Sequence, residues 1–276
     1  MIDKKSRIAS LVSSILLYSI AILLLYPVYW SFIGSLMTDS DVMSIPPKLI
    51  PGKLYFGNYI ELFKKAPTLN WFFNSVFVSS ITSFLVVLFG SMAGYGFSKQ
   101  KFPGVNFIFY LMILGMMIPK QVMLIPLFKL INQMNLFDTL TALILPQLGI
   151  PFGVFLMKQF IVSIPDEILE AAKVDGFGEL NTFFKIVLPI AKPGMGALAI
   201  FTFISSWNDY AWQLVAISST KLKTLPLGVA TFQEEYSMRY ALLMAGGVLA
   251  SLPMLIVFMT FQRYFTKGIV MGAVKG

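Results

Sequence analysis

The chain has 276 residues, of which 57% are hydrophobic and only 12% charged, with a mean hydropathy of +0.78. A soluble domain carries about 25% charged residues, so this chain lacks the material for a polar shell and its solvent is lipid. The net charge of +8 comes from Lys and Arg scattered between apolar blocks, the placement of interfacial anchors, which argues against a nucleic-acid partner. With no Cys and no His there is no disulfide, no thiolate metal site and no imidazole base.

The apolar residues come in long continuous blocks, not in the short alternating strands of a membrane barrel. The fold class predicted is an all-α membrane protein, a single transmembrane domain over residues 1–276 with about six spanning helices, since one crossing takes about 20 apolar residues. The first span covers residues 8–35, behind the basic start Lys4, Lys5 and Arg7. It is longer than the roughly 7–15-residue apolar core of a signal peptide, and reads as an uncleaved span. Residues 37–70, with Asp39, Asp41, the pair Pro46-Pro47 and Lys64-Lys65, read as a loop with short structured pieces.

The second span covers 71–97 and the third 105–127, where Pro119 and Pro126 predict a kink or a stop. The fourth covers 140–160, the fifth 194–215 and the sixth 240–265, with a polar loop at 216–239 that holds Lys221, Lys223, Glu234 and Glu235. Six passes put both termini on one side. Assigned to the cytoplasm, that side holds Lys4, Lys5, Arg7, Lys99, Lys101, Lys158, Lys173, Lys185, Lys192, Arg263, Lys267 and Lys275, a bias in the direction of the positive-inside rule.

Between the fourth and fifth spans, residues 161–192 form a polar hairpin. Ser163 three residues before Asp166 has the spacing of a capping box, and Pro165 suits a first helical turn. Asp166, Glu167 and Glu170 lie toward the positive end of the helix dipole, and Gly176 supplies a left-handed stop. A second short helix runs from Glu179 to Val187 and closes at Pro189. On these residues alone two readings stand: a helix for a protein partner to grip, and an amphipathic loop resting on lipid headgroups.

The hairpin resembles the EAA loop of permease subunits in binding-protein-dependent ABC importers. Glu170-Ala171-Ala172 is followed at the family's spacing by Asp175-Gly176, with Leu188-Pro189 downstream. AGYGFSKQKFPG at Ala93–Gly104, MIPKQVMLIPLF at Met117–Phe128 and FNSVFVS at Phe73–Ser79 resemble the carbohydrate-uptake branch. WNDYAW at Trp207–Trp212 and QRYFTKGIVMGAVKG at Gln262–Gly276 resemble its maltose-permease-like second subunit.

The resemblance implies an inner-membrane importer of a sugar or oligosaccharide. Its partners are a homologous second permease, two ATPase subunits, an extracytoplasmic sugar-binding protein and the lipid. The EAA helix is the coupling helix, held in a groove of the ATPase. Ala171, Ala172 and Gly176 become its close contacts, Glu170 and Asp175 its polar contacts, and Pro189 sets the exit toward the fifth span. ATP and magnesium belong to the ATPase, because no G-x-x-x-x-G-K-[ST] sequence occurs here: Gly52-Lys53 is followed by Leu54.

In WNDYAW, Asn208 and Asp209 are polar at membrane depth and candidates for a substrate pathway, with Trp207, Tyr210 and Trp212 as ring platforms; the alternative is an interfacial aromatic belt. Glycerol phosphate or another polyol derivative is a second cargo. A secondary transporter or channel is a weaker reading, since the middle spans hold hardly any charge, and no catalytic constellation for an enzyme is present.

Overall fold

A computed structural model describes residues 4–235 and 239–273, with side chains over 10–232 and 239–261. The side chains of Lys4, Lys5, Arg7, Glu234 and Glu235, and those of the tail 267–276, therefore lie outside the described residues. No strand occurs among the described residues, in agreement with the all-α expectation. By contact the chain divides into two compact units where the sequence predicts one domain: Met1–Pro67 with Val229–Leu252, and Thr68–Gly228 with Pro253–Gly276.

The first unit contains α1 (Lys4–Ser35), α2 (Asp39–Val42) and α3 (Gly57–Lys65). Its polar segment is ordered by side chains that satisfy backbone groups. The buried Asn58 amide donates to the carbonyls of Ser35 at 2.9 Å and Met37 at 2.8 Å. Arg239 places Nε 2.5 Å from Asp39 and forks onto both oxygens of Glu61 at 3.1 and 2.9 Å. Asp39 in turn accepts the Ala241 N–H at 2.9 Å. The bidentate fork matches a planar guanidinium to a carboxylate.

The second unit is built around α4 (Thr68–Lys99), which packs against α8 (Pro151–Val162) and α12 (Lys192–Trp207). Close approach of α4 and α8 depends on Gly94: a Cβ there would lie 2.8 Å from the Lys158 nitrogen and 2.9 Å from Met157 Cβ. Small residues at such crossings let backbones approach where lipid supplies no hydrophobic drive. Val86, Tyr95, Met157, Ile161 and Leu198 form the buried cluster at this crossing.

Among the described residues, three helices are long and apolar enough to cross a membrane, and three bent pairs raise the number to six if each pair is one span. The third span, where the sequence placed a kink or stop at Pro119, is bent by 102° between Val105–Met117 and α6 (Lys120–Gln133), α5 being Val105–Leu114. The fourth is bent by 48° between Leu140–Gly149, which starts with α7 (Leu140–Ile144), and α8. A third bend of 78° separates Glu179–Ile190 from α12.

Each break has a proline at the start of the following helix: Pro119 caps α6, Pro151 opens α8 and Pro193 stands in the first turn of α12. Proline removes a donor that a helix start does not need and pushes the preceding residue out of the helical region. Pro126, where the sequence also allowed a kink, lies inside α6.

Candidate functional site

The hairpin after α8 contains α9 (Asp166–Val174), then α10 (Glu179–Thr182), a π-wound stretch Phe183–Val187 and α11 (Leu188–Ile190). The capping box does not form. Ser163 ends α8, and its hydroxyl donates back to the Phe160 carbonyl at 2.6 Å, while Pro165 precedes α9 without a side-chain cap. The other end follows the sequence. Gly176 has φ +82°, its N–H bonds the Lys173 carbonyl at 3.0 Å, and the Phe177 N–H bonds that of Ala172 at 2.9 Å. This is the paired closure of a Schellman motif, which needs a left-handed residue where glycine stands.

Helical spacing decides which side chains of α9 are free. Leu169 and Ala172 point into the chain's own core, Ala172 being only 3% exposed. Ala172, expected as a contact for a partner, is therefore covered by its own subunit. The open face carries Ile168, Ala171 and Val174, spaced at three residues, with Val174 88% exposed. Glu170, Asp175 and Gly176 are also exposed. Sequence reasoning missed Val174, although its spacing from Ala171 put it on that face.

Pro189 is exposed and lies within the helical run to Ile190 instead of closing the helix before it. It has no N–H to offer the preceding turn, and that turn is wound wider, with the Leu188 N–H reaching back to the Phe183 carbonyl. A missing donor and a π-turn accommodate each other. The bend toward α12 comes at Ala191.

Two further anchors hold the hairpin, and sequence reasoning named neither. Lys99, at the end of α4, donates to the Ile164 carbonyl and to Asp166, both at 2.6 Å. Glu179 accepts from Tyr95 at 2.8 Å and Gln100 at 2.7 Å, and pairs with Lys173 at 3.2 Å. The Lys99 ammonium holds the Asp166 carboxyl below the usual carboxylate range, and the Tyr95 hydroxyl, with Lys173 and Gln100, does the same for Glu179.

The fifth span, predicted as one helix over 194–215, is two. Helix α12 ends at Trp207, and α13 (Tyr210–Ala216) starts after Asp209. Asp209 has φ −76° and ψ 63°, with the Tyr210 N–H 2.7 Å from the Asn208 carbonyl. That is an inverse γ-turn. Asn208 returns its side-chain amide to the Ile204 carbonyl at 3.1 Å, the local competition that makes Asn a poor helix interior.

A cavity of about 530 Å³ opens beside this turn, lined by Lys120, Ser205, Asn208 and Asp209 and by the apolar Ile200, Phe201, Ile204 and Phe258. Two helix breaks thus meet at one cavity, the Pro119–Lys120 break and the Asn208–Asp209 turn. Interrupted helices that line a cavity are where membrane transporters hold their cargo. Trp207 and Trp212 do not line it. They are 1% and 3% exposed, and the Trp212 indole donates to the Ala142 carbonyl at 2.9 Å. Tyr210 is half-buried against the same core as Trp212. The rings that do line the cavity, Phe201 and Phe258, lay unmarked in apolar blocks, whereas Lys120 was legible as a lone cation inside the third apolar block.

Broken apolar helices around a polar-edged cavity, joined to a polar helical hairpin, define a membrane permease fold. A bacterial ABC transporter involved in the import of the acidic polysaccharide alginate shares this fold, with a TM-score of 0.83 over 96% of this chain and 99% of that chain at 23% identity. Residues 86–271 match the family described as "Binding-protein-dependent transport system inner membrane component", and the chain belongs to that family. It is 37% identical over 260 residues to the arabinooligosaccharides transport system permease protein AraQ of Bacillus subtilis (strain 168), covering 93% of this chain and 92% of that one. It is 33% identical over 275 residues to the lactose transport system permease protein LacG of Rhizobium radiobacter, covering 100% of both.

Proposed function

We propose that this chain is a permease subunit of an importer of a neutral sugar or oligosaccharide, driven by ATP hydrolysis in a separate subunit that grips α9. The observation that carries the coupling role is the division of α9 into two faces. Leu169 and Ala172 fix the helix to its own subunit, while Ile168, Ala171 and Val174 leave an apolar stripe open, flanked by Glu170 and Asp175. A helix outside the lipid with an uncovered apolar stripe and a charged rim fits a groove on a neighbouring protein. Gly176 turns the chain away at the end of that stripe, and Pro189 lies on the path to the bend before α12.

ATP and magnesium are held by two ATPase subunits. A homologous second permease completes the pathway, and an extracytoplasmic binding protein delivers the cargo. Both termini lie in the cytoplasm with α9, in keeping with an even number of crossings and the basic residues on that side.

Asn208 and Asp209 contribute to the pathway with Ser205 and Lys120, and Phe201 and Phe258 supply the apolar platform a sugar ring needs. Trp207, Tyr210 and Trp212 act behind them as the frame of the turn. A lone Lys120 would favour a phosphate-bearing polyol, but the Asp209 carboxyl lines the same cavity, and a pair of opposite charge types there favours neutral cargo. The names of the relatives, an arabinooligosaccharide and a lactose permease, support the same class.

The chain has no native cysteine, so an Ala171→Cys variant carries a single thiol. Cross-linking from that thiol in membranes, followed by mass spectrometry, is expected to capture an ATPase subunit. Capture of lipid alone would overturn the coupling role.

A further inference from the structure

Helix α9 has nine residues, too few to hold itself together in water, and it is joined to the rest of the hairpin through Pro165 on one side and Gly176 and Gly178 on the other. A push on such a helix would be lost in its flanking turns unless something fixed it at both ends. Both ends are fixed, and to the same turn of α4.

At the start of α9, the Lys99 ammonium, only 7% exposed, bridges the Ile164 carbonyl and Asp166, each at 2.6 Å. At its end, Lys173 reaches Glu179 at 3.2 Å, and Glu179 also accepts the Tyr95 hydroxyl at 2.8 Å. Tyr95 and Lys99 are four residues apart and lie one above the other on α4. The Tyr95 ring packs on Phe183, with centroids 5.5 Å apart, inside the cluster that also buries Leu169. Helix α4 then packs along α12, whose Ile200, Phe201, Ile204 and Ser205 line the cavity.

We infer that Tyr95 and Lys99 are positioning residues that lock α9 and α4 into one lever. Displacement of α9 is then delivered to α4 and, through α12, to the cavity wall. This inference rests on α9 being the coupling helix. A short hairpin responds to its partner only as a rigid element with two discrete placements, because packed helices shift as units. Hydrogen bonds to a charged group, made at both ends, supply the rigidity that two buried apolar residues do not.

The test uses the complete transporter, this chain with its partner subunits, in proteoliposomes, reading sugar uptake and ATP hydrolysis together. Lys99→Met keeps the aliphatic stem and removes the donor; Tyr95→Phe keeps the ring and removes one hydroxyl, a change too small to prevent folding. Both variants are expected to assemble with a normal complement of ATPase and to hydrolyse ATP. Uptake per ATP should fall, by about tenfold in the double variant, within the range that mutations along coupling networks produce. Lys99→Arg, which retains the charge and the donors, should restore most of the ratio.

Unchanged uptake per ATP in Tyr95→Phe and in the double variant would overturn the lever. The Ala171→Cys cross-link, run in the same preparations, separates the two failures. ATPase captured with the ratio unchanged sinks the lever alone, whereas no capture in the otherwise unmodified chain sinks the coupling role beneath it.

Discussion

The side-chain nitrogen of Lys99 lies 2.6 Å from the backbone oxygen of Ile164, a contact across 65 positions of sequence. The carbonyl of Ile164 falls between α8 and α9, where it has no helical partner of its own. An unpaired buried carbonyl is costly, and the lysine at the end of α4 answers it while placing a charge against Asp166. One side chain thus joins a membrane helix to the polar hairpin that the family resemblance marks as functional.

At Gly176 the backbone is left-handed, and a Cβ would meet open space. Substitution therefore costs conformational energy alone. Gly176→Ala should destabilise the hairpin by roughly 1–2 kcal/mol, with a larger loss for the β-branched Gly176→Val. Uptake should fall while membrane content stays normal, as measured by transport in vesicles beside immunodetection of the subunit.

Gly94 presents the opposite case, since its φ is ordinary and the space is not. A side chain there would strike the Lys158 backbone and Met157. Gly94→Leu should cost about 1–3 kcal/mol or more through overpacking, lowering both the thermal stability of the detergent-solubilised complex and the amount of protein in the membrane. Gly176→Ala should leave the amount unchanged.

Asp209 and Lys120 predict a switch in cargo. Asp209→Asn leaves the lysine uncompensated, so neutral sugar uptake should drop roughly tenfold while a uronate-bearing or phosphorylated sugar competes better than before. The double variant Lys120→Met/Asp209→Asn should recover part of the neutral uptake. Competition assays against labelled substrate in proteoliposomes measure both effects. Equal loss in the single and double variants would remove the two residues from a shared role.

The Arg239–Glu61 fork predicts an acid dependence. Arg239, with Lys65 beside it, holds the Glu61 carboxyl below its ordinary value of 4.5. The folded chain therefore binds fewer protons than the unfolded one in that region. Its stabilisation is complete above pH 4.5 and is lost as the pH falls through the lowered value. Melting curves taken downward from about pH 6 should show this loss, and Glu61→Gln should be less stable at neutral pH with a flatter acid limb.

The sequence was most legible where one residue type answers a local demand. The bilayer requires apolar blocks of a given length, and the blocks at 71–97 and 240–265 lie within α4 and the long helix Tyr240–Ala273. Left-handed backbone requires glycine, and Gly176 stands there. The break at Pro119 was also readable, because proline constrains its own neighbours. Ser163 misled, since a hydroxyl with capping spacing also satisfies a carbonyl of the preceding turn, and α8 ended there first.

Tertiary structure alone decided which side of each element is free. Ala171 and Ala172 are the same residue type in adjacent positions, yet one is exposed and the other buried, because rotation about α9 is set by the seat of Leu169 in a core drawn from α4 and α8. Trp212 gives its indole N–H to Ala142, and Lys99 its ammonium to Ile164; neither partner is hinted at by neighbouring residues. Local chemistry sets where helices start, stop and face lipid. Packing between distant segments sets which polar groups find one another, and the coupling face and the cavity were both decided there.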